Sequence, residues 1–324
     1  MRHWKAAGWT WACVAIIAMT AIVGGSLLPW AVSSSDGVRR FERTDSAAAL
    51  MPPTWAPHSI SQQEQLDQLR ERGPFFTTLG TDRLGRDVLA RCVVGGLVSV
   101  GVGLSAACIA VLLGTAWGSL AGVKGGRTDA AMMRLVDVLY GLPAIMLVVL
   151  IAVAADGLAE NMGGSGTRLR EAINVGTLFV AIGAVSWLTV ARVVRGQVLS
   201  LQARPAMEAA RAIGVPPVRR FIRHLLPGLV GSIIVYATLT VPAAILSEAF
   251  LSFLGIGIRE PLPSWGNLAA DGLGELNIVH SRWWLLAWPC LCIAMTLVSL
   301  NALGERLRDR VDPRRQTVIR EVAA

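Results

Sequence analysis

Lysine is nearly absent: of 30 basic residues only Lys5 and Lys124 are lysines, the rest being arginine. A phosphate-cradling P-loop needs a lysine followed by serine or threonine. Here alanine follows Lys5 and glycine follows Lys124, so that motif is excluded. Histidine is scarce too, and His3, His58, His224 and His280 are too scattered for a metal-ligand spacing. The five cysteines (Cys13, Cys92, Cys108, Cys290, Cys292) fall in or beside apolar runs. They suggest neither a disulfide framework nor a metal site, and read as small buried hydrophobes. G-x-S-x-G does not occur and no Asp, His and Ser set assembles, so the polypeptide reads as non-catalytic, with no cofactor or metal of its own.

Charge itself is sparse. Only 16% of the 324 residues are charged against 53% hydrophobic, and the mean hydropathy is +0.54. That composition belongs to a polytopic membrane protein. The net charge of +8 is a feature shared with nucleic-acid binders. Arginines placed between apolar runs instead follow the positive-inside rule and the acidic leaflet surface, so nucleic acid is not expected as a partner and membrane lipid is.

The apolar runs predict an all-α chain of six transmembrane helices. Trp9–Val32 follows Arg2, His3 and Lys5; it is longer than a signal-peptide core of about 7–15 residues and lacks a convincing small-x-small cleavage site. It reads as a retained first span with its N-terminus inside. Val93–Val123 is rich in glycine and alanine, which suits close packing inside a bundle. The third span covers about Ala130–Ala155, kinked at Pro143, with Arg134 and Asp137 three apart on one face. That pair is read as a local ion pair, with a place for Asp137 on a translocation path as the alternative. Asp156–Glu171 reads as an outer loop, and Val175–Val190, Leu229–Ile256 and Trp283–Leu303 complete the six. Residues 1–32 thus hold the cytoplasmic N-terminal end and the first span, 33–91 an external segment, 92–304 the membrane core and 305–324 a cytoplasmic tail.

One polar stretch, Arg204–Gly228, lies between two of these runs, where bare charges rule out a place in hydrocarbon. Met207–Ile213 has helix formers, Gly214 is a left-handed stop, and Val215-Pro216-Pro217 forbids continuation. Val218–Leu226 is helical again until Pro227. The pattern predicts a helix-turn-helix at the membrane surface, with Arg211, Arg219, Arg220 and Arg223 toward water. Glu208 and an alanine patch suit docking into a partner's groove; an ordinary amphipathic loop is the bland alternative.

Glu208-Ala209-Ala210, three residues, Gly214, then Leu226-Pro227 resembles the EAA loop of permease subunits in binding-protein-dependent ABC importers. His224 departs from the aliphatic residue of the broad consensus, as the peptide-importer branch tends to do. Three further strings carry the same resemblance to dipeptide, oligopeptide and nickel permeases. Leu79–Arg91 (LGTDRLGRDVLAR) stands before the second span, with Asp82, Arg83, Gly85, Arg86, Asp87 as its signature positions. Ala191–Leu199 (ARVVRGQVL) precedes the EAA loop. Glu248–Gly257 followed by Pro261–Gly266 (PLPSWG) contains Glu248, Ser252 and Trp265. Asp82 and Asp87 can cap helix starts. With Arg83 and Arg86 they form either a capped, charged approach to the membrane or a ligand contact. Glu248, an intramembrane carboxylate, either senses a substrate ammonium or is a hydrogen-bonded group at a subunit seam, with Ser247 and Ser252 at hand. Trp265 is placed at headgroup level. The insert between Trp55 and Leu79 has no assigned role.

The resemblance implies a type I, MetI-like permease fold in a prokaryotic inner membrane, with both termini cytoplasmic. It implies a homologous second permease, two ABC ATPases that use ATP and Mg, and an external substrate-binding protein. Residues 204–227 would be the coupling loop, working through Glu208, Ala209, Ala210, Arg211, Gly214, His224 and Pro227. Peptides are the implied cargo, with nickel chelates, glutathione or another small solute as alternatives. A self-sufficient secondary transporter or channel is the reading from a different class; it predicts paired intramembrane charges or broken helices in an inverted repeat, and the sequence shows few such charges and no repeat.

Overall fold

The computed structural model describes residues 25–35, 38–71, 77–161, 167–276 and 282–311. These are mostly helical and divide into two units, one built on 103–244 and 299–311, the other on 25–102 and 245–298. Residues 25–32 form helix α1, the visible end of the expected first span. The rest of that span, with the retained-helix expectation and Cys13, falls outside the described residues.

α3 (Val88–Lys124) and α11 (Trp284–Val311) are long apolar helices. Between them come α4 (Gly126–Tyr140), α5 (Ala144–Asn161), α6 (Thr167–Gln202), α7 (Pro205–Ala212), α8 (Pro217–Arg220) and α9 (Leu226–Phe253). Among the described residues four helices are long and apolar enough to cross a membrane, and five if α4 and α5 count as one bent span. Many of their leucines face outward, including Leu97, Leu104, Leu112 and Leu150. Such a surface is stable against lipid or other helices and not against water.

Three expectations change. The third span is broken, not kinked: α4 and α5 meet at 89°. Proline at 143 cannot donate an N–H and pushes Leu142 off the helical conformation, while the Gly141 amide closes α4 on Asp137 O. The outer loop at Asp156–Glu171 shrinks, since α5 runs to Asn161 and α6 begins at Thr167. α6 also continues unbroken to Gln202, well beyond the expected end at Val190. Among the described cysteines the buried reading holds in full for Cys92 alone, because Cys108 and Cys290 are exposed on their helices and Cys292 is half-buried.

In the unit containing α6, glycines make a close seam. An added Cβ on Gly114 would lie 2.5 Å from Val190 Cβ, and one on Gly122 2.7 Å from Val198 Cγ1. Gly118, midway, would collide with the Ala191 carbonyl. Spaced four apart, they form the small-residue stripe that lets two helix backbones approach, as apolar membrane helices pack in the absence of a hydrophobic drive. Trp117 and Trp187 meet edge to face at 5.3 Å beside it, and Arg195 grips Asp129 with two bonds of 2.5 and 2.6 Å, tying α4 to α6.

The other unit is capped by irregular chain. A short hairpin (Ser34–Ser35 with Val38–Arg39) leads to α2 (Ile60–Glu71), which buries Leu66 and Leu69 against Ala48 and Met51 and is otherwise solvated. The stretch Asn267–Arg282 opens with a helix that the sequence reading missed, α10 (Trp265–Gly274). Ser264 caps it reciprocally with Asn267.

Candidate functional site: a surface hairpin and an ionic cluster

The hairpin forms where local chemistry demands it. Pro205 opens α7 at a position whose N–H would be unpaired anyway. Glu208 sits exposed in the first turn, favourably toward the positive helix end. Met207 and Ala210 are buried, Met207 joining a cluster with Val198, Leu201, Leu225 and Leu229. At the far end Gly214 adopts φ +75°. Its N–H donates to Arg211 O and that of Val215 to Ala210 O, both at 3.0 Å. That pairing is a Schellman stop, and its left-handed residue favours glycine.

The return limb departs from expectation. α8 does not stop at Pro227. It passes through a π-helical turn, Phe221–Leu225, straight into α9. Pro227 has no N–H for the residue four before it, and the widened turn, in which Leu226 N–H reaches Phe221 O, shifts the ladder so that the helix survives. His224 and Pro227 lie exposed on this limb, as do Ala209 and Arg211 on α7. Ile213, Val218 and Ile222 are 79%, 69% and 59% exposed. The sequence reading passed over these three, although apolar residues inside an arginine-rich loop are a usable signal for a docking face.

Arg134 and Asp137 do not pair. Asp137 accepts from Arg192 Nη2 at 2.9 Å, and that guanidinium also lies 4.2 Å over the Tyr140 ring. The pair is exposed, so it contributes little. A partner 55 positions away is invisible to helix-face spacing.

The signature 82–87 divides among three ionic groups. Gly85, at φ +72°, turns the chain tightly over the Asp45 carbonyl. Asp82 caps no helix; it accepts from the Leu84 and Arg86 amides, from Arg86 Nε at 2.6 Å and from Arg91 Nη1 at 2.5 Å. Glu260 Oε1 then joins Arg86 at 2.8 Å and Arg91 at 3.1 Å. Burial works against Glu260 ionising, but the hydrogen bonds from Arg86 and then the nearby guanidinium charges outweigh it and hold its pKa low. Arg91, 1% exposed, is a residue the sequence reading left unassigned. Arg83 pairs with Glu275, which also holds Arg282. Asp87 does cap α3, accepting from Leu89 N–H at 2.9 Å, with Arg40 at 4.0 Å; burial is the main influence and raises its pKa. Asp82, Arg83, Arg86, Arg91, Glu260 and Glu275 border a cavity of about 250 Å³ with Asp271 at its side.

Glu248 is fully buried. Its Oε1 accepts from Ser252 Oγ at 2.7 Å, and Ser252 in turn accepts from Ile258 N–H at 3.0 Å. The hydroxyls of Ser99 and Ser264 border the same carboxyl, while Oε2 meets no donor at bonding distance. The arrangement knots α3, the end of α9 and the start of α10, with no face to solvent. Trp265 faces protein, not an open surface. It is 7% exposed, packs its ring on Gly96 and donates to Cys92 O at 3.0 Å.

Comparison with known proteins places this geometry. Residues 114–317 match the family described as binding-protein-dependent transport system inner membrane component. The dipeptide transport system permease protein DppC of Bacillus subtilis is 41% identical over 267 residues, 82% of this chain and 77% of that one. The oligopeptide transport system permease protein OppC of Escherichia coli K12 is 43% identical over 244 residues, covering 75% and 74%. The glutathione transport system permease protein GsiD of Pectobacterium atrosepticum is 30% identical, covering 97% and 99%. An inward-facing structure of the MetNI methionine ABC transporter shares the fold, with a TM-score of 0.52 at 17% identity over 69% of this chain and 98% of that one. This chain therefore belongs to the family of binding-protein-dependent transport system inner membrane components.

Proposed function

We propose that the protein is one of two homologous transmembrane subunits of an importer that moves di- or oligopeptides across a prokaryotic cytoplasmic membrane. Two separate ABC ATPase subunits use ATP and Mg, this chain binding neither and catalysing nothing. An external binding protein delivers the cargo, and both termini of this chain are cytoplasmic. The observation that carries the reading is the hairpin 204–227. It is an exposed α7 with a fixed glycine stop, apolar tips at Ile213, Val218 and Ile222, and a return limb continuous with the long helix α9. Displacing such a hairpin displaces whole helices, because α6 leads into it and α8 leads out without a flexible joint. ATPase closure would thereby tilt the bundle from inward- to outward-facing. Glu248 and Ser252 act in this account as a buried seam, and Asp82, Arg83, Arg86 and Asp87 as a rigid outer rim.

The peptide assignment rests on the relatives named for dipeptide and oligopeptide transport, each above 40% identity. A glutathione cargo is the second reading, favoured by the nearly full-length match to GsiD. The test is uptake of labelled dipeptide, tetrapeptide and glutathione into proteoliposomes holding the chain with and without its partner subunits and ATP. Uptake by the chain alone would contradict the proposal, and ATP-dependent uptake of glutathione but neither peptide would move the cargo to the second reading.

A further inference from the structure

At the last residue of α6, Gln202 makes two bonds in opposite directions. Its Oε1 accepts from Arg211 Nη2 on α7 at 2.9 Å, and its Nε2 donates to Gly122 O, near the end of α3, at 3.2 Å. Gly122 also closes the glycine seam on Val198. With α3 and α6 in backbone contact along Gly114, Gly118 and Gly122, the two helices can move only together in this region. Beyond the two-residue link Ala203-Arg204, α7 is attached to that pair by the apolar cluster that Met207 shares with Leu201 and Val198, and by a side-chain bond, Arg211 on Gln202. The apolar contact resists separation but is non-directional, so it tolerates sliding. The amide bridge is directional and fixes the rotation of α7 about its own axis.

We propose that Gln202 is a positioning residue for energy coupling. It fastens the hairpin to α3 as well as α6, so that a push on α7 is delivered to a two-helix lever and is not dissipated in rolling of α7. The Gly122 carbonyl is a good receiving point because it stands in the last turn of α3, where helix carbonyls lack an intrahelical donor. The inference rests on the importer reading above and adds to it the route by which the hairpin's motion enters the bundle.

The experiment uses the complete reconstituted complex and reads peptide taken up per ATP hydrolysed. Wild type must first show ATP-driven uptake; if it does not, the importer reading fails and the bridge is not the cause. Gln202→Leu keeps the size and loses both bonds, one from a charged donor, and we expect its transport ratio to fall at least about three- to tenfold, the factor associated with losing one neutral hydrogen bond, with ATP hydrolysis retained. Gln202→Glu still accepts from Arg211 but cannot donate to Gly122 O, and is expected to be as uncoupled as the leucine variant. Arg211→Met breaks the other bond from the far side and keeps the experiment informative should position 202 variants assemble poorly. The double variant Gln202→Leu/Arg211→Met should be no worse than either single one, because the two act through one bridge. A wild-type ratio in Gln202→Leu, additive losses in the double variant, or a fall in hydrolysis proportional to uptake would each overturn the proposal.

Discussion

Replacing Gly214 separates backbone geometry from bulk in the hairpin, because an added Cβ there meets nothing within 4 Å. Space is therefore free, and the cost of a substitution comes from φ +75° alone. A residue with a Cβ pays roughly 1–2 kcal/mol in the left-handed region, asparagine least. Valine, branched at Cβ, pays at least the upper figure, and its alternative is to abandon the turn. That route forfeits the Gly214→Arg211 and Val215→Ala210 bonds, each worth about 1 kcal/mol. Either way Gly214→Val should reduce the properly formed hairpin by about tenfold or more, since 1.4 kcal/mol is a factor of ten. The expected order is Gly214→Asn near wild type, Gly214→Ala intermediate and Gly214→Val worst. Uptake and ATP hydrolysis are measured in the reconstituted complex, with membrane insertion followed by protein yield in the bilayer. Peptide uptake should follow this order while insertion stays constant. Full uptake in the valine variant refutes the coupling role, and an asparagine variant as poor as valine refutes the argument from φ.

Three other changes probe the framework. Arg91→Met leaves Asp82 and Glu260 without a donor they share, and removing one partner of a buried pair costs about 3–5 kcal/mol; an unchanged thermal transition in detergent micelles would contradict the ionic-cluster account. Burial is the main influence raising the Asp271 pKa, Arg91 opposing it and Glu260 adding to it. An acid raised on folding adds stability below its unfolded pKa, near 4, and loses it as pH rises through the folded value. Asp271→Asn should therefore be more stable than wild type at pH 7, the gap closing as pH falls, and a gap that widens in acid would reverse the sign. Gly118→Leu drives a side chain into the Ala191 carbonyl and should abolish folded yield, whereas Gly101→Leu, with open space around it, should be tolerated; equal yields would deny the close seam.

The parts of this fold that the sequence made legible are those whose signals are local. Gly214 and Pro216-Pro217 mark the end of α7, whose start at Pro205 lies two residues before the expected Met207, and the long apolar runs announce the spans. Pro227 misleads because a proline normally ends a helix, and only a π turn, a register change without its own residue signature, carries the chain past it. The break at Pro143 is visible as a proline, but the 89° angle is set by packing. Asp137 and Arg192, or Arg91 and Glu260, are 55 and 169 positions apart, and no spacing rule connects such pairs. Trp265 was placed at the surface by its amphipathic character, yet Gly96 makes room for its ring and a carbonyl accepts its N–H.

The central claim is that the exposed hairpin 204–227 is gripped by a separate ATPase at the cytoplasmic face. Cysteine introduced at Glu208 or Ile213, both exposed, in a chain whose native cysteines are replaced, tests it directly when joined by a short bifunctional reagent to cysteines in the ATPase groove. The account predicts crosslinks whose yield changes on adding ATP, and labelling of both positions only by reagents that reach the cytoplasm. Labelling from the outside by a membrane-impermeant maleimide, with no crosslink to the ATPase in any nucleotide state, would contradict it.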